Sequence, residues 1–428
     1  MKNVLEWLEA TVAKYPDKPA FSDTESSITF RQVYDIARNT GAYLVEQLGV
    51  DRTPVAVFAG RKMVTPAYFL GVVYAGRPYA PIDASLPDKR IEKILENLCP
   101  RAIVADRESR EHVESIVDEL AKAEGFDRPQ IFIAEDISHF EQVACADSNC
   151  KISESSGDAV TDSENDTDGG VVAGCAGKTD DSALEKLATV RRQMSMTDPL
   201  YIIYTSGSTG NPKGVMTSHL SLMTYINAYC DVMHIEESDV LGNQSPLDYI
   251  AAIRDIYLPL KTGCSTAIIP KEYFMEPNAL FDYMNDKKVS SVGWSVSAFT
   301  ILTSLGAFEE VGLKSLRKIC FSGSVMSCRV LRKWQENLPE AHFVNQYGPT
   351  EATASCTYYS VDHLVEEDEV LPIGKAYDNY RVFLIDEHGN DPAVGEQGEI
   401  CVCGPILALG YYNDPERTAA AFTLNPLN

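Results

Sequence analysis

Short apolar runs alternate along the chain with longer stretches whose apolar positions recur at helical spacing. A helical pattern covers Leu5 to Tyr15, and Ser27 to Ala37 reads as a strand turning into a helix. Val55 to Gly60 is a predicted strand and Ala67 to Ala75 an apolar helix. Within residues 76–97 a short strand passes through prolines into a helix begun near Ser85. Ala102 to Asp106 and Gln130 to Ala134 read as further strands, and Leu200 to Tyr204 as a strand buried on both faces. Ser218 is a candidate N-cap for a helix through Met233. A strand at Ser265 to Ile269, a helix at Glu276 to Asp286 and strands at Ser290 to Gly293, Lys318 to Ser322 and His342 to Gln346 follow.

This alternation predicts an α/β fold of mostly parallel sheets covered by helices, with a smaller β-rich subdomain toward the C-terminus. The expected division is a first α/β subdomain over 1–190, a second over 191–355 and the β-rich part over 356–428. Residues 143–185 break the pattern: they are rich in Asp, Ser and Gly and hold no aromatic residue. Such a stretch buries too little apolar surface to order itself, so it reads as a solvated, partly disordered acidic insertion. Its acids lack the spacing of an EF-hand.

Two blocks carry chemistry. The strand ending at Tyr204 runs into Thr205, Ser206, Gly207, Ser208, Thr209 and Gly210, with Lys213 close behind. Backbone N–H groups and hydroxyls there can donate to phosphate oxygens, glycine permits close approach, and an ammonium offsets charge. The loop is not a Walker A motif, because Pro212 stands where that pattern needs glycine. The second block is NQYGPTEATAS, residues 345–355, in which a strand ends in a Gly-Pro turn presenting Tyr347, Thr350 and Glu351 at its carboxyl edge. That edge is where open parallel sheets bind ligands.

The stretch YIIYTSGSTGNPKGV, residues 201–215, resembles the phosphate-binding signature of the adenylate-forming superfamily: acyl-CoA synthetases, luciferases, peptide-synthetase adenylation domains and D-alanine:carrier-protein ligases. YGPTE at 347–351 matches that superfamily too, as do Gly76, Tyr79, Pro81 and Asp83, whose role looks structural. The resemblance implies ATP and Mg²⁺ as cofactors. It places Tyr347 on adenine, Asn345 at the adenine amino edge, Thr205 and Glu351 at the metal, and Gly323, Gly348 and Thr350 around the nucleotide. Thr205, Lys213 and Glu351 become the candidate catalytic residues. The implied reaction is attack of an ionised carboxylate on the α-phosphate with loss of pyrophosphate, needing no protein nucleophile or general base.

A third block, residues 395–422, is similar to the superfamily's strand, Gly-Tyr and Pro-Glu-x-Thr pattern, with Leu409 where an arginine is common. The superfamily continues with a ribose-binding aspartate, a hinge and a mobile C-terminal domain bearing a catalytic lysine, none of which stands before Asn428. An excised fragment is therefore expected, binding ATP weakly and turning over ~10²–10³-fold more slowly or worse.

For the acid, anchoring on DIYLPLKTG without a gap places Ile250 where amino-acid-activating relatives carry an aspartate, with Ala251 and Arg254 in the pocket. Two extra residues instead place Asp248 there. Gly293, Cys320, Ser322, Gln346, Ala354 and Ser355 complete the implied pocket. Arg254, if it lines the pocket, favours an acid with a second anionic group; the other reading pairs it with a neighbour on an exposed helix face. His219 is expected to be structural. The resemblance lies nearest the enzymes that pass the acid to a carrier protein with a phosphopantetheine arm, the alternatives being a CoA ligase or a nucleotide-binding module without turnover.

Composition narrows the partners. The formal net charge is −25 over 428 residues, which argues against nucleic acid or an anionic membrane. No apolar run is long enough to span a bilayer and the N-terminus carries acidic residues, so a cytoplasmic protein is expected. Eleven cysteines without a CxxC pair read as reduced thiols.

Overall fold

The computed structural model describes residues 2–139, 181–206 and 210–427. The expected acidic insertion lies outside the described residues up to position 180, and its last residues open the helix Asp181–Gln193. Two large sheets organise the rest. One runs, in spatial order, Gly410–Tyr411, Pro212–Ser218, Pro199–Ser206, Tyr79–Asp83, Val55–Ala59, Ala102–Ala105 and Gln130–Ile133. The other runs Lys375–Ala376, Thr357–Ser360, His342–Tyr347, Lys318–Ser322, Ser291–Ser295, Val240–Asn243, Ser265–Ile268, Pro19–Ser22 and Ser27–Thr29. Both are parallel at their centres and antiparallel at edges. An antiparallel pair, Arg381–Ile385 with Glu399–Cys403, supplies the β-rich C-terminal part.

Alternation along the strands decides which layer each side chain enters. Val55 and Val57 face a central core that also takes Leu241, Ile268, Cys320 and Val344 from the opposite sheet. Ala56 and Phe58 point the other way, under the outer helices Asp88–Leu98 and Arg110–Leu120. Helices Phe30–Leu48, Thr65–Tyr74, His219–Met233 and Ile253–Thr262 fill the central layer. Every residue of Thr65–Tyr74 is buried, which explains its uninterrupted apolar sequence. Ser218 caps its helix by accepting the Ser221 amide, and Thr29 and Gln32 close a capping box on Phe30–Leu48.

The expected boundary near residue 190 does not follow the sheets. Pro19–Ser22 and Ser27–Thr29 join the sheet built from residues beyond 239, while Pro199–Ser206 and Pro212–Ser218 join the sheet begun at Val55. Strand order depends on pairing between distant segments, which local patterning does not encode. The glycine-and-hydroxyl loop lies between two antiparallel strands in register from Ile202–Met216 to Ser206–Pro212, which makes it the turn of a hairpin. Part of the Gly76–Asp83 block is bound into the core. Arg77 is buried against Asp51 and the Leu48 and Gly49 carbonyls, and the Tyr79 hydroxyl lies 3.0 Å from that of Tyr257.

Candidate active site

Three chain segments meet at one carboxylate. Lys213, on the returning strand of the hairpin, donates to Glu351 Oε1 at 2.5 Å. Tyr411 donates its hydroxyl to the same oxygen at 2.6 Å and accepts from Lys213 at 3.2 Å. Tyr411 is held because Gly410–Tyr411 pairs with the hairpin strand and its amide donates to Thr418 Oγ1. Burial works against both charges. The bonds from Lys213 and Tyr411 outweigh it, holding the Glu351 carboxyl below the usual range and Lys213 above the usual lysine value.

The 342–347 strand delivers the rest of this site. Tyr347 emerges 38% exposed at its carboxyl end, a free aromatic face on which a base can stack. The chain then turns so tightly that a Cβ at Gly348 would stand 2.5 Å from Ser355 Cα. Thr350 and Glu351 form a single 3₁₀ turn, and Thr353 and Ala354 adopt φ values of 47° and 73°, a left-handed pair without glycine. Bonds from Thr353 Oγ1 to the Ile406 carbonyl and from the Cys356 amide to the Tyr347 carbonyl hold that strain. Gly323, at φ 94°, leaves open space beside the neighbouring strand end. Asn345 is buried with its amide donating to the Pro372 carbonyl, so its free polar atom is the acceptor Oδ1. Thr205 Oγ1 is buried with no partner among the described residues, directly across the hairpin from Lys213. Gly207, Ser208 and Thr209 lie outside the described residues, whereas Ser206 and Gly210 flank them.

A second cluster lies deeper. Arg254, on the helix Ile253–Thr262, is 1% exposed, so the reading that set it on an exposed helix face does not hold. Its Nη2 donates to the Gly293 carbonyl at 2.8 Å, and Nη1 lies 3.4 Å from Gln346 Oε1 and 3.5 Å from Cys320 Sγ. Ser355 donates to Gln346 Oε1 at 3.3 Å, and Tyr229 lies under the guanidinium. Four of the implied pocket residues thus gather around Arg254. Ile250 is buried and Ala251 half-buried in the 3₁₀ turn preceding that helix, Ser322 ends its strand beside Ser295, and Ala354 packs on the central core.

Asp248 stands elsewhere, in a cleft of about 2490 Å³ also lined by Gly60, Arg61, Asp83 and Asp106. Burial and the Asp83 charge push its carboxyl up to about 6. His219 is buried behind the hairpin, with Nδ1 facing the Val4 amide at 3.5 Å; burial depresses it to about 3, so it is neutral at pH 7.

The donor set fits a magnesium ion that takes most of its ligands from phosphate and water. One ionised carboxylate at Glu351 and one unpartnered hydroxyl at Thr205 are oxygen donors of the required hardness. No cluster of three or more His, Cys, Asp or Glu side chains with metal-binding geometry occurs among the described residues. Tyr411 is the functional residue that sequence reasoning missed. Its Gly-Tyr pattern is visible in the sequence, but only the pairing of Gly410–Tyr411 with the distant strand Pro212–Ser218 brings its hydroxyl to Glu351.

Residues 8–412 match the AMP-binding enzyme family. The chain is 28% identical over 423 residues to the D-alanine--D-alanyl carrier protein ligase of Bacillus cereus (strain Q1), covering 98% of this chain and 73% of that protein. Among solved structures it is similar to the nonribosomal peptide synthetase FmoA3 in its alpha-methyl-L-serine-AMP bound form, with TM-score 0.78, 22% identity, all of this chain and 42% of that one. It also resembles the Klebsiella oxytoca NpsA N-terminal subdomain in complex with 3-hydroxyanthranilyl-AMSN, with TM-score 0.73, 18% identity, 99% of this chain and 92% of that one. No helix among the described residues is long and apolar enough to cross a membrane. With the family matched across most of its length and the phosphate-loop lysine bonded to the carboxylate of the Tyr-Gly-Pro-Thr-Glu turn, the chain belongs to the AMP-binding enzymes.

Proposed function

We propose that this chain takes part in activating a small carboxylic acid with ATP, for delivery to the phosphopantetheine thiol of a carrier protein. A carboxylate oxygen attacks the α-phosphorus, the bond to the bridging oxygen breaks and pyrophosphate leaves, giving an acyl-adenylate. A thiol then attacks the acyl carbon and AMP departs. Lys213 with the hydroxyls of Thr205 and Ser206 would neutralise the phosphates, and Tyr347 would stack on adenine. Asn345 Oδ1 would accept from the adenine amino group, while Gly323, Gly348 and Thr350 leave room for the nucleotide. Glu351 and Thr205 would hold Mg²⁺, which when bound screens charge on the phosphate oxygens.

The observation that carries this reading is the bonding of Lys213 to Glu351 across 138 residues, beside an exposed Tyr347. Support for the carrier comes from the similar Bacillus cereus protein, a D-alanine--D-alanyl carrier protein ligase. The test is ATP-dependent pyrophosphate release with a panel of acids, followed by transfer to holo carrier protein or to CoA. Acylation of CoA with no acylation of any carrier would overturn the choice of acceptor.

A further inference from the structure

Arg254 presents an unsettled electrostatic problem. Its guanidinium is fully buried, yet no carboxylate lies within ion-pair distance of it among the described residues. The neighbouring Asp255 is also buried, but its carboxylate accepts from Asn243 Nδ2 at 2.8 Å, and Asn243 Oδ1 in turn accepts from Arg61 at 2.7 Å. That acid is engaged on another network. Only one contact to Arg254 is a well-formed hydrogen bond, that of the Gly293 carbonyl. Among the described residues Arg254 Nε has no partner, and neither does Gln346 Nε2 beside it.

The unmet atoms share a sign. Both are donors, and one belongs to a permanent cation, so what they lack is an acceptor carrying negative charge. Leaving such donors buried and unanswered costs roughly 1–3 kcal/mol each, more where a charge is involved. The cluster also lies in a meaningful place. Gly293 pairs with Cys320 in adjacent parallel strands, and Gln346 directly precedes Tyr347, the candidate adenine platform. A Cβ at position 293 would come within 2.8 Å of Arg254 Cζ, so the glycine makes room for the guanidinium. The apolar Ile250 stands in the turn leading into the same helix.

We propose that the acid activated here carries a second anionic group, which Arg254 receives with help from Gln346, while the reacting carboxylate points toward Tyr347 and Glu351. A second carboxylate suits this best, because a planar guanidinium can bind it through two parallel bonds. The inference deepens the adenylation reading and rests on it for which carboxylate reacts.

The test offers the chain malonate, succinate and glutarate against the monoamides of the same acids. Pyrophosphate release is measured in one arm and calorimetric binding of the acid without ATP in the other, for the parent chain, Arg254→Gln and Arg254→Lys. The expected result is a preference for diacid over monoamide of roughly 10²-fold or more in the parent, lost in Arg254→Gln and partly retained in Arg254→Lys. Diacid binding that depends on Arg254 without any pyrophosphate release would sustain this inference and remove the adenylation reading. Equal use of diacids and monoamides would overturn the inference and leave adenylation standing, and absence of both binding and release would overturn both. Should Arg254→Gln not fold, the preference of the parent chain decides alone.

Discussion

Two cations in this protein, one partly buried and one wholly buried, have opposite fates. Lys213 is about a quarter exposed and answered from within the chain, by the Glu351 carboxylate and the Tyr411 hydroxyl. Arg254 is wholly buried and answered only by a carbonyl and two long contacts. The first node is complete without ligand, so a nucleotide must compete with an existing ion pair to engage Lys213. The second lacks acceptors, so an acceptor arriving there breaks no existing ion pair. Closed pairing suits a site that must rearrange around a polyphosphate, and open donors suit a site that selects.

The largest effect is expected from Lys213→Ala, which removes the cation and frees Glu351. Acyl-adenylate formation should fall ~10²–10³-fold relative to the parent chain, with folding intact by circular dichroism. An unchanged rate would separate the node from the chemistry. Next, Gly293→Ala should shift acid preference by ~10-fold or more, since the new methyl pushes the guanidinium aside without touching backbone. A preference profile identical to the parent's would dissociate Arg254 from selection.

Tyr411→Phe sharpens the comparison from the first node's side. Loss of one charge-assisted bond should slow turnover ~10-fold. The Tyr411 bond holds the Glu351 carboxyl down, so its removal lets that carboxyl titrate at higher pH. The acid limb of the pH–rate profile should therefore move upward, and a limb that stays put would mean that Glu351 does not control it. The smallest expected effect is on stability: Arg254→Met should leave unfolding in urea, without ligand, within ~1 kcal/mol of the parent or slightly more stable. Removing an unpaired buried charge offsets the orphaned Gly293 carbonyl. A loss of several kcal/mol would show Arg254 to be a structural post instead.

Much of the local structure was legible. Lys318–Ser322 coincides with its expected strand, and most other expected elements match within a few residues, because period and capping act within one segment. The glycine-and-hydroxyl loop and the Tyr-Gly-Pro-Thr-Glu turn were legible because their chemistry needs particular residues in a fixed order. The choice between Asp248 and Ile250 for the position where relatives carry an aspartate was not. Asp248 lines a cleft whereas Ile250, two residues on in the 3₁₀ turn, is buried, and no periodicity crosses such a turn.

Residue order alone therefore determined the strand and helix segments, the make-up of the glycine-and-hydroxyl loop and the acid-bearing turn, since each depends on neighbours a few positions apart. Tertiary structure alone decided that the phosphate loop closes a hairpin, that Tyr411 reaches Glu351 and that Arg254 is buried without a counter-ion. Those outcomes depend on which distant strands pair and which side chains are left facing one another, quantities settled by packing rather than by any stretch of sequence.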